Sequence, residues 1–318
     1  MFPSFFNLRG RSNPNTQKLI MLLMGMTVSF RIAASGIPDN EFVTQIADGV
    51  YLHQGQHAGL EDKQRGDSAN IGFIVGDRCV AVIDTGGAVT TGKKLRAAIL
   101  TVTDKPICYV INTHVHFDHV LGNAAFGADN PEFVGHVNLA ESMNGNRAFF
   151  VEQFSAELGA SDESLVIAPT TLVEDQTTLD IGNRQLLLVA TGPAHTDADL
   201  SVLDKKTNFL WTGDLVFRER MPILDASLKG WLAWLDTDRA AVKVVPGHGP
   251  AGENWATSIA QIKTYLTALL EETRRAIAAG MFLEDALDSV AVEAAASWQL
   301  NDRHARNVSR AYRQLEWE

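Results

Sequence analysis

The chain has 318 residues, 46% of them hydrophobic, with two cysteines and a formal net charge of −11. Such a chain can bury one large core, because compact regions of roughly 200–250 residues often form a single domain. The acidic balance argues against nucleic acid and anionic membrane surfaces as partners. We therefore expect one main domain, a tail and no nucleic-acid partner.

The first 35 residues differ from the rest. They carry basic residues from Arg9 to Lys18, an apolar run from Leu19 to Phe30 and then small residues, with no acidic residue. This order is typical of a secretory signal peptide, and the run is short of the ~20 residues that span a bilayer. We predict a signal peptide over residues 1–35, a periplasmic or secreted protein, and no membrane insertion after cleavage. An uncleaved anchor or a misassigned start codon is the alternative.

Short runs rich in β-branched and aromatic residues follow, separated by glycines, and this pattern predicts strands and tight turns. Helical periodicity first appears between Thr90 and Val102, where Leu95, Ala98 and Ile99 share one face. The predicted strands of this half are Phe42–Ile46, Val50–Gln54, Ile71–Val75, Cys79–Ile83 and Ile107–Asn112.

The second half repeats the arrangement. A polar stretch from Asn138 to Leu158 predicts a helix, as do the residues from Trp255 to Gly280 and the chain end around Val308. Strands in runs with helices interspersed favour an α/β sandwich of two sheets with outer helices. The further predicted strands are 178–181, 185–189, 200–203, 209–212 and 242–245.

Cys79 and Cys108 lie in strand-like apolar runs. We expect them to be buried thiols that behave as small hydrophobic side chains, rather than a disulfide. Neither has the spacing of a thiol active site or of a cysteine-rich zinc site.

Three histidines and an aspartate occur within six residues, at His114, His116, Asp118 and His119, directly after an apolar strand. Such a cluster suits a packed core poorly, because buried imidazoles need hydrogen-bond partners and repel one another when protonated. His114 and His116 share a face of an extended strand end and can bind one ion, while the pair after the turn can reach a second. Nitrogen and carboxylate ligands suit zinc.

Three other loops offer further ligands, since His195, Asp214 and His248 each follow a strand-like run. Taken singly, such residues are more often turn or capping residues. Together with the cluster they complete two coordination shells. We therefore predict a site for two zinc ions, held by His114, His116, Asp118, His119, His195, Asp214 and His248.

The sequence resembles the metallo-β-lactamase fold superfamily over about residues 42–255, in a set of motifs that occur in family order. The resemblance implies a four-layer αβ/βα sandwich with the site along one edge. It implies a catalytic domain over residues 36–255 and a helical C-terminal extension over 256–318 packed on it. The motifs are Ile83 to Gly87, the histidine cluster, Gly192 to Thr196, Gly213-Asp214 and Pro246 to Gly249.

The same resemblance assigns roles to the ligands. It implies that His114, His116 and His195 hold one zinc, that Asp118, His119 and His248 hold the other, and that Asp214 bridges them. Asp84 would support a ligand without binding metal. A hydroxide held between the zinc ions would attack a small substrate without a covalent enzyme intermediate, and Asp118 would be the catalytic residue that accepts or relays a proton.

Finer stretches are similar to the quinoprotein relay system zinc metallohydrolases, exported proteins associated with quinoprotein dehydrogenases and c-type cytochromes. This resemblance implies an exported hydrolase of a small ester, thioester or lactone, linked to such a partner. An aspartate at position 214 looks more like the glyoxalase II side of the superfamily than like β-lactamases, which usually carry cysteine or serine there. The stretches are residues 55–70, His195 to Leu200 and Asn307 to Glu318.

Three alternatives stay open. A β-lactamase would hydrolyse β-lactam amides, and an iron-dependent persulfide oxygenase would hold one iron and leave Asp118, His119 and His248 without a metal. A non-catalytic partner of a dehydrogenase is the third.

Two sets of polar residues near the predicted site each allow two interpretations, one functional and one purely structural. The connection from Gln54 to Asn70 is either a lid with His57 and Arg65 facing the substrate or a plain hairpin. Arg218, Arg220 and Lys229 are either an anion site or, as we expect, solvated surface charge.

Overall fold

The first sheet has seven strands that pair in chain order. They are β1 (Thr44–Ala47), β2 (Val50–His53), β3 (Ile71–Val75), β4 (Val80–Ile83), β5 (Ile107–Ile111), β6 (Glu132–His136) and β7 (Thr171–Val173). The structure is a computed structural model that describes residues 41–237, 239 and 242–318. Strands β1 to β4 pair antiparallel, whereas β4 to β7 pair in parallel, so the chain crosses over between the later strands.

The second sheet has five strands: β8 (Gln176–Asp180), β9 (Gln185–Thr191), β10 (Asp199–Asp204), β11 (Phe209–Phe217) and β12 (Lys243–His248). Strands β8 to β11 form an antiparallel meander, and β12 pairs in parallel with β11. The carboxyl ends of β5, β11 and β12 therefore lie towards one edge of the sandwich, near the predicted metal ligands.

Ten α-helices of the described residues surround or connect the sheets. They are α1 (Val89–Val102), α2 (Phe117–Val120), α3 (Leu139–Gly145), α4 (Arg147–Gln153), α5 (Ser155–Leu158), α6 (Leu228–Leu235), α7 (Trp255–Ala278), α8 (Leu283–Leu287), α9 (Val292–Ala295) and α10 (His304–Leu315). Short 3₁₀ turns occur at Arg65–Asp67, Leu121–Asp129, Glu163–Leu165 and Asn301–Arg303.

Alternation along the buried strands sorts the core into layers. In β4, Val80 and Val82 belong to the cluster that contains α1, while Ala81 and Ile83 face the second sheet. The outer face of the second sheet packs against α6, α7 and α10 in the largest cluster. This four-layer sandwich with C-terminal helices confirms the predicted fold class.

The structure divides the helix predicted from Asn138 to Leu158 into α3, α4 and α5. The backbone leaves helical geometry at Phe154, whose ring is buried and stacks on Phe117 at 4.3 Å between centroids. Tertiary packing therefore overrides the helical propensity of the segment. Gly159 ends α5 at φ +80°, and no strand was predicted at β6 or β7.

Cys79 and Cys108 form a disulfide, so the expectation of two free thiols was wrong. Cys79 directly precedes β4 and Cys108 is the second residue of β5. The two strands pair in parallel and bring the Cα atoms to 5.8 Å, a distance that a disulfide spans. The sequence alone does not reveal this register, because it depends on how the crossover through α1 is packed.

The signal peptide predicted over residues 1–35 lies outside the described residues. Among the helices that the structure describes, none has the length and apolar character needed to cross a membrane. The described residues of the predicted main domain and C-terminal extension belong to one compact unit.

Candidate metal centre

The seven predicted ligands meet at the edge where β5, β11 and β12 end. His114 and His116 follow β5, and His195 lies in the loop between β9 and β10. The position of Asp214 differs from the prediction. Instead of following the strand, Asp214 lies inside β11, which continues to Phe217. The pairing of β11 with β12 is irregular around Gly213, where φ is +50° and a Cβ would meet Thr113 Oγ1 at 2.5 Å. Glycine therefore permits the turn of backbone that aims Asp214 inward.

His114, His116 and His195 converge on one point. His116 Nδ1 lies 3.1 Å from His114 Nε2 and 3.0 Å from His195 Nε2. Asp214 Oδ2 completes the group, at 3.7 Å from His114 Nε2 and 3.5 Å from His195 Nε2. Three imidazole nitrogens and a carboxylate oxygen form a ligand set that zinc accepts.

A second group lies beside the first and consists of Asp118, His119 and His248. His248 Nε2 is 3.5 Å from Asp118 Oδ2. Asp214 Oδ1 is 3.1 Å from His119 Nε2 and 3.3 Å from His248 Nε2. Asp214 thus presents Oδ2 to the first group and Oδ1 to the second, which is the geometry of a carboxylate shared by two ions.

Burial and neighbouring charges together set the protonation of the first group. It lowers the pKa of His114 well below the usual value and lowers the pKa of His195 to about 4. Burial alone would raise the pKa of Asp214, but His248, His119 and His114 hold it well below its usual range. Burial alone would lower the pKa of His116, but Asp225 raises it. The neutral imidazole and the ionised carboxylate, which are the forms that bind metal ions, are therefore favoured at His114, His195 and Asp214.

Two buried atoms test whether a metal fits. His119 Nε2 and Asp214 Oδ1 lie 3.1 Å apart without the alignment of a hydrogen bond, and neither atom has another hydrogen-bond partner among the described residues, although both are shielded from solvent. Buried polar atoms are almost always paired, and an ion between the ligand groups would supply the missing partner. Gly247 keeps the space open, since a Cβ there would meet Asp214 Oδ1 at 1.9 Å. The residues present fit divalent ions in both groups.

Four histidines donate their second ring nitrogen to a fixed acceptor. His195 Nδ1 donates to Ile223 O at 2.7 Å and His248 Nδ1 to Ser68 O at 2.8 Å. The remaining two such bonds join His119 Nδ1 to Asp84 Oδ2 at 2.7 Å and His116 Nε2 to Asp225 Oδ2 at 2.8 Å. These bonds fix the tautomer and orientation of each imidazole, as is usual for metal ligands.

Asp84 has the supporting position that the family resemblance implies. Besides His119, its carboxylate accepts from Thr113 N and Thr113 Oγ1, both at 2.8 Å. Asp84 itself adopts φ +53°, in the left-handed region that residues other than glycine seldom enter. The carboxylate therefore joins the end of β4 to the loop that carries the ligands.

Sequence reasoning missed Ser68 and Asp225. Ser68 Oγ donates to Asp118 Oδ2 at 2.8 Å, and Asp225 supports His116 across 109 residues of sequence. Neither residue lies in a cluster of chemically similar residues, so the sequence around it carries no signal. Only the packing of the loop from Met221 to Leu228 against the histidines reveals the second contact.

The basic residues after Asp214 have three different positions. Arg220 is buried beside the second group, with Nη1 3.7 Å from Asp118 Oδ2, so the expectation of solvated surface charge was wrong for this residue. Arg218 donates to Pro250 O and Ala251 O and holds that turn. Lys229 is largely exposed and pairs with Glu318.

The segment from Gln54 to Asn70 does not direct its charged residues into the site. Arg65 pairs with Glu157 through two hydrogen bonds of 2.6 and 3.0 Å, and His57 Nε2 lies 3.3 Å from Glu219 Oε2. These contacts attach the segment to the domain. Gly59 and Leu60, by contrast, line the cavity over the metal-binding groups.

Comparisons with known proteins agree with this geometry. A probable metallo-hydrolase from Methanocaldococcus jannaschii is 28% identical over 169 residues, which are 50% of this chain and 77% of that protein. The 2,4-dinitroanisole O-demethylase subunit alpha from a Nocardioides species is 24% identical, over 55% of this chain but only about half, 51%, of that protein.

A solved metallo-beta-lactamase from Pontibacter korlensis has the same fold, with a TM-score of 0.55 and 22% identity, over 71% of this chain and 98% of that one. The family model described as the metallo-beta-lactamase superfamily matches residues 65–248, more than half of the chain. The match contains all seven of the converging ligands, and the chain belongs to the metallo-beta-lactamase superfamily.

Proposed function

We propose that this protein is a dinuclear zinc-dependent hydrolase of a small ester, thioester or lactone. The observation that carries the proposal is the placement of Asp214, which offers one oxygen to each of two complete ligand groups. The probable metallo-hydrolase among its relatives supports the same class of reaction. Bound zinc ions lower the pKa of water and polarise the oxygen of the bond under attack.

The chain's own residues supply proton handling beside the ions. Burial alone would raise the pKa of Asp118, but His119, His248 and Arg220 lower it, so this residue is a carboxylate at neutral pH. Asp118 also lines the cavity and accepts a hydrogen bond from Ser68 Oγ. These contacts suit a group that accepts a proton from the attacking water and passes it to the leaving group.

We also propose that the protein acts after export and serves a quinoprotein dehydrogenase or c-type cytochrome system. The signal-like first 35 residues support export. The disulfide between Cys79 and Cys108 supports an oxidising compartment, because cytosolic proteins rarely keep such bonds. The link to a quinoprotein rests on the similarity of residues 55–70, 195–200 and 307–318 to the relay-system metallohydrolases.

The decisive experiment counts metal ions by elemental mass spectrometry on protein purified without added metal. Wild type should carry about two zinc ions per chain. His195→Ala should lose the ion of the first group and His248→Ala that of the second, so each variant should retain about one. Asp197→Asn is the matched control, because Asp197 is exposed two residues from His195. Loss of both ions in either histidine variant would contradict two separable sites.

The same samples are then tested on a panel of esters, thioesters and lactones, with nitrocefin as the β-lactam. Turnover of thioesters that a chelator abolishes supports the proposal. Rapid cleavage of nitrocefin alone would instead favour the β-lactamase alternative. One iron per chain with no hydrolytic activity would favour the oxygenase, in which Asp118, His119 and His248 stay without a metal.

A further inference from the structure

A cavity of about 580 Å³ opens over the two ligand groups. His116, Asp118, Asp214 and His248 form its floor. One wall is apolar and includes Leu60, Phe117, Phe149 and Phe150. Leu60 and Phe149 are 39% and 52% exposed, although large apolar side chains are usually buried. This wall is therefore suited to the apolar body of a substrate.

The lining also includes three arginines from the end of the chain, Arg303, Arg306 and Arg310. We call these three residues the arginine face. They follow one another at spacings of three and four, which places them on one side of the turn and helix that they occupy. The other side of α10 is buried, at Val308, Ala311 and Leu315.

The arginine face is held in a fixed position relative to the metal centre. Asn307, which is buried, accepts from Leu224 N at 2.9 Å and donates to Pro222 O at 2.7 Å. These bonds join α10 to the loop that also supplies Ile223 O to His195 and the Asp225 carboxylate to His116. The same loop thus supports two metal ligands and the helix that carries the arginines.

The charges in the cavity do not balance once the floor binds metal. Asp118 and Asp214 belong to the ligand groups, so Asp225 is the acidic residue of the lining that remains for the arginines. Asp225 Oδ1 accepts from Arg306 and lies 4.0 Å from Arg310, and it also supports His116. Arg303 pairs only loosely, at 3.5 Å, with Asp302, whose side chain is 66% exposed.

This excess of positive charge contrasts with the chain as a whole, whose formal net charge is −11. A positively lined cleft on an acidic protein attracts anions locally while the rest of the surface repels them. Arginine also binds carboxylate and sulfonate groups through paired hydrogen bonds.

We infer that the arginine face is a specificity site for an anionic group of the substrate. The substrate class is a small ester, thioester or lactone that has an apolar body and a carboxylate or sulfonate remote from the bond that is cleaved. The apolar body would lie against the apolar wall, and the anionic group against the arginine face. This inference rests on the proposed hydrolase function, because the metal centre defines which end of the substrate reacts.

Two 4-nitrophenyl esters of equal acyl length test the inference on the zinc-loaded protein. Mono-4-nitrophenyl adipate carries a distal carboxylate, and 4-nitrophenyl hexanoate does not. We expect the KM of the adipate ester to be about tenfold lower, as one charge-assisted hydrogen bond would provide. This preference should weaken as salt is added.

The double variant Arg303→Gln/Arg310→Gln should raise the KM of the adipate ester about tenfold and bring the two KM values together. Arg306 is left intact because its partner Asp225 supports a metal ligand. The control is Arg313→Gln, since Arg313 is exposed on the same helix but does not line the cavity. Equal KM values in wild type, or an equal effect of Arg313→Gln, would overturn the inference.

A binding measurement separates this inference from the hydrolase proposal. Isothermal titration compares benzenesulfonate with the neutral benzyl alcohol on wild type and on the two arginine variants. Sulfonate binding that depends on Arg303 and Arg310 supports the arginine face even where no ester is cleaved, an outcome that would count against the hydrolase alone. Sulfonate binding no tighter than that of the alcohol would overturn the inference about the arginine face. It would not count against the proposed hydrolase function.

Discussion

The two ends of the β-sandwich both bury charged side chains, but the hydrogen-bond partners of these side chains differ. At the end where β3 stops and β9 begins, Arg184 donates to both carboxylate oxygens of Asp204, at 3.0 and 2.6 Å, and to Val75 O of the other sheet. At the metal end, buried His119 and Asp214 each keep an atom without a hydrogen bond to the described residues.

The comparison shows two ways of placing charge in a protein interior. The first end is complete within the chain, because donor and acceptor are matched in number and direction. At the metal end, two buried atoms have no hydrogen-bond partner among the described residues, and an ion between the ligand groups would supply one. Buried polar groups of the first kind indicate stability, and those of the second kind indicate function.

The largest effect is expected from Asp214→Ala, which removes the carboxylate oxygen that Asp214 presents to each ligand group. The variant should lose zinc from both groups, and its unfolding temperature should fall by roughly 5 to 15 °C, because bound ions stabilise only the folded state. Elemental mass spectrometry and calorimetry measure the two effects. Wild type stripped with a chelator should match the variant in unfolding temperature, and a stripped protein as stable as the loaded one would contradict this view of the metal end.

The opposite end should respond in stability and not in metal content. Arg184→Met leaves Asp204 buried without its partner and should lower the free energy of unfolding by about 3–5 kcal/mol. Denaturant unfolding of the variant measures this loss. The double variant Arg184→Met/Asp204→Leu is the control and should recover part of it, since no charge then stays unpaired. A fall in zinc content of the single variant would show that the two ends are coupled.

The disulfide lies at the same end as Arg184, where Cys79 N donates to Ile181 O. Cys79→Ala/Cys108→Ala should lower the free energy of unfolding by about 2–4 kcal/mol, because the unfolded chain gains freedom without the cross-link. Zinc content should stay the same. Alkylation of both cysteines in denatured, unreduced wild type would show that the bond does not form.

A smaller effect is expected at the contact between Asp225 and His116. Asp225→Asn keeps the size of the side chain but removes the charge that orients the imidazole, so zinc affinity should fall by about 10 to 100-fold. Competition with a chromophoric chelator measures the affinity. Asp302→Asn is the matched control, because Asp302 pairs with an arginine of the same cavity and touches no ligand. Equal affinities of wild type and Asp225→Asn would mean that packing alone orients His116.

Much of the fold follows from local pattern. The alternating runs predicted β1 to β5 and β8 to β11 within a few residues, and the spacing of Leu95, Ala98 and Ile99 predicted α1. The segment from Asn138 to Leu158 could not be predicted in the same way, because Phe154 leaves the helix to stack on Phe117. Contacts between distant segments decide such breaks.

The candidate site shows the same difference between residues that a local pattern predicts and residues that contacts between distant segments bring in. The histidine cluster and the strand-end motifs stand out in the sequence, since chemically similar residues recur at spacings that bind metal. Ser68 and Asp225 carry no such signal, because they contact the site across 50 and 109 residues of sequence. Arg220 was expected at the surface, and its burial beside Asp118 depends on packing. Sequence reasoning therefore found the seven residues that converge and, through the family resemblance, Asp84, but it did not find Ser68 or Asp225 beside them.

The family match ends at His248, whereas the arginine face begins at Arg303 on a helix fixed by Asn307. The proposed specificity site thus lies outside the family match, which contains the candidate metal ligands. A chain cut at the family boundary would lose α7 as well as α10, and would therefore expose the apolar outer face of the second sheet in addition to losing the arginine face.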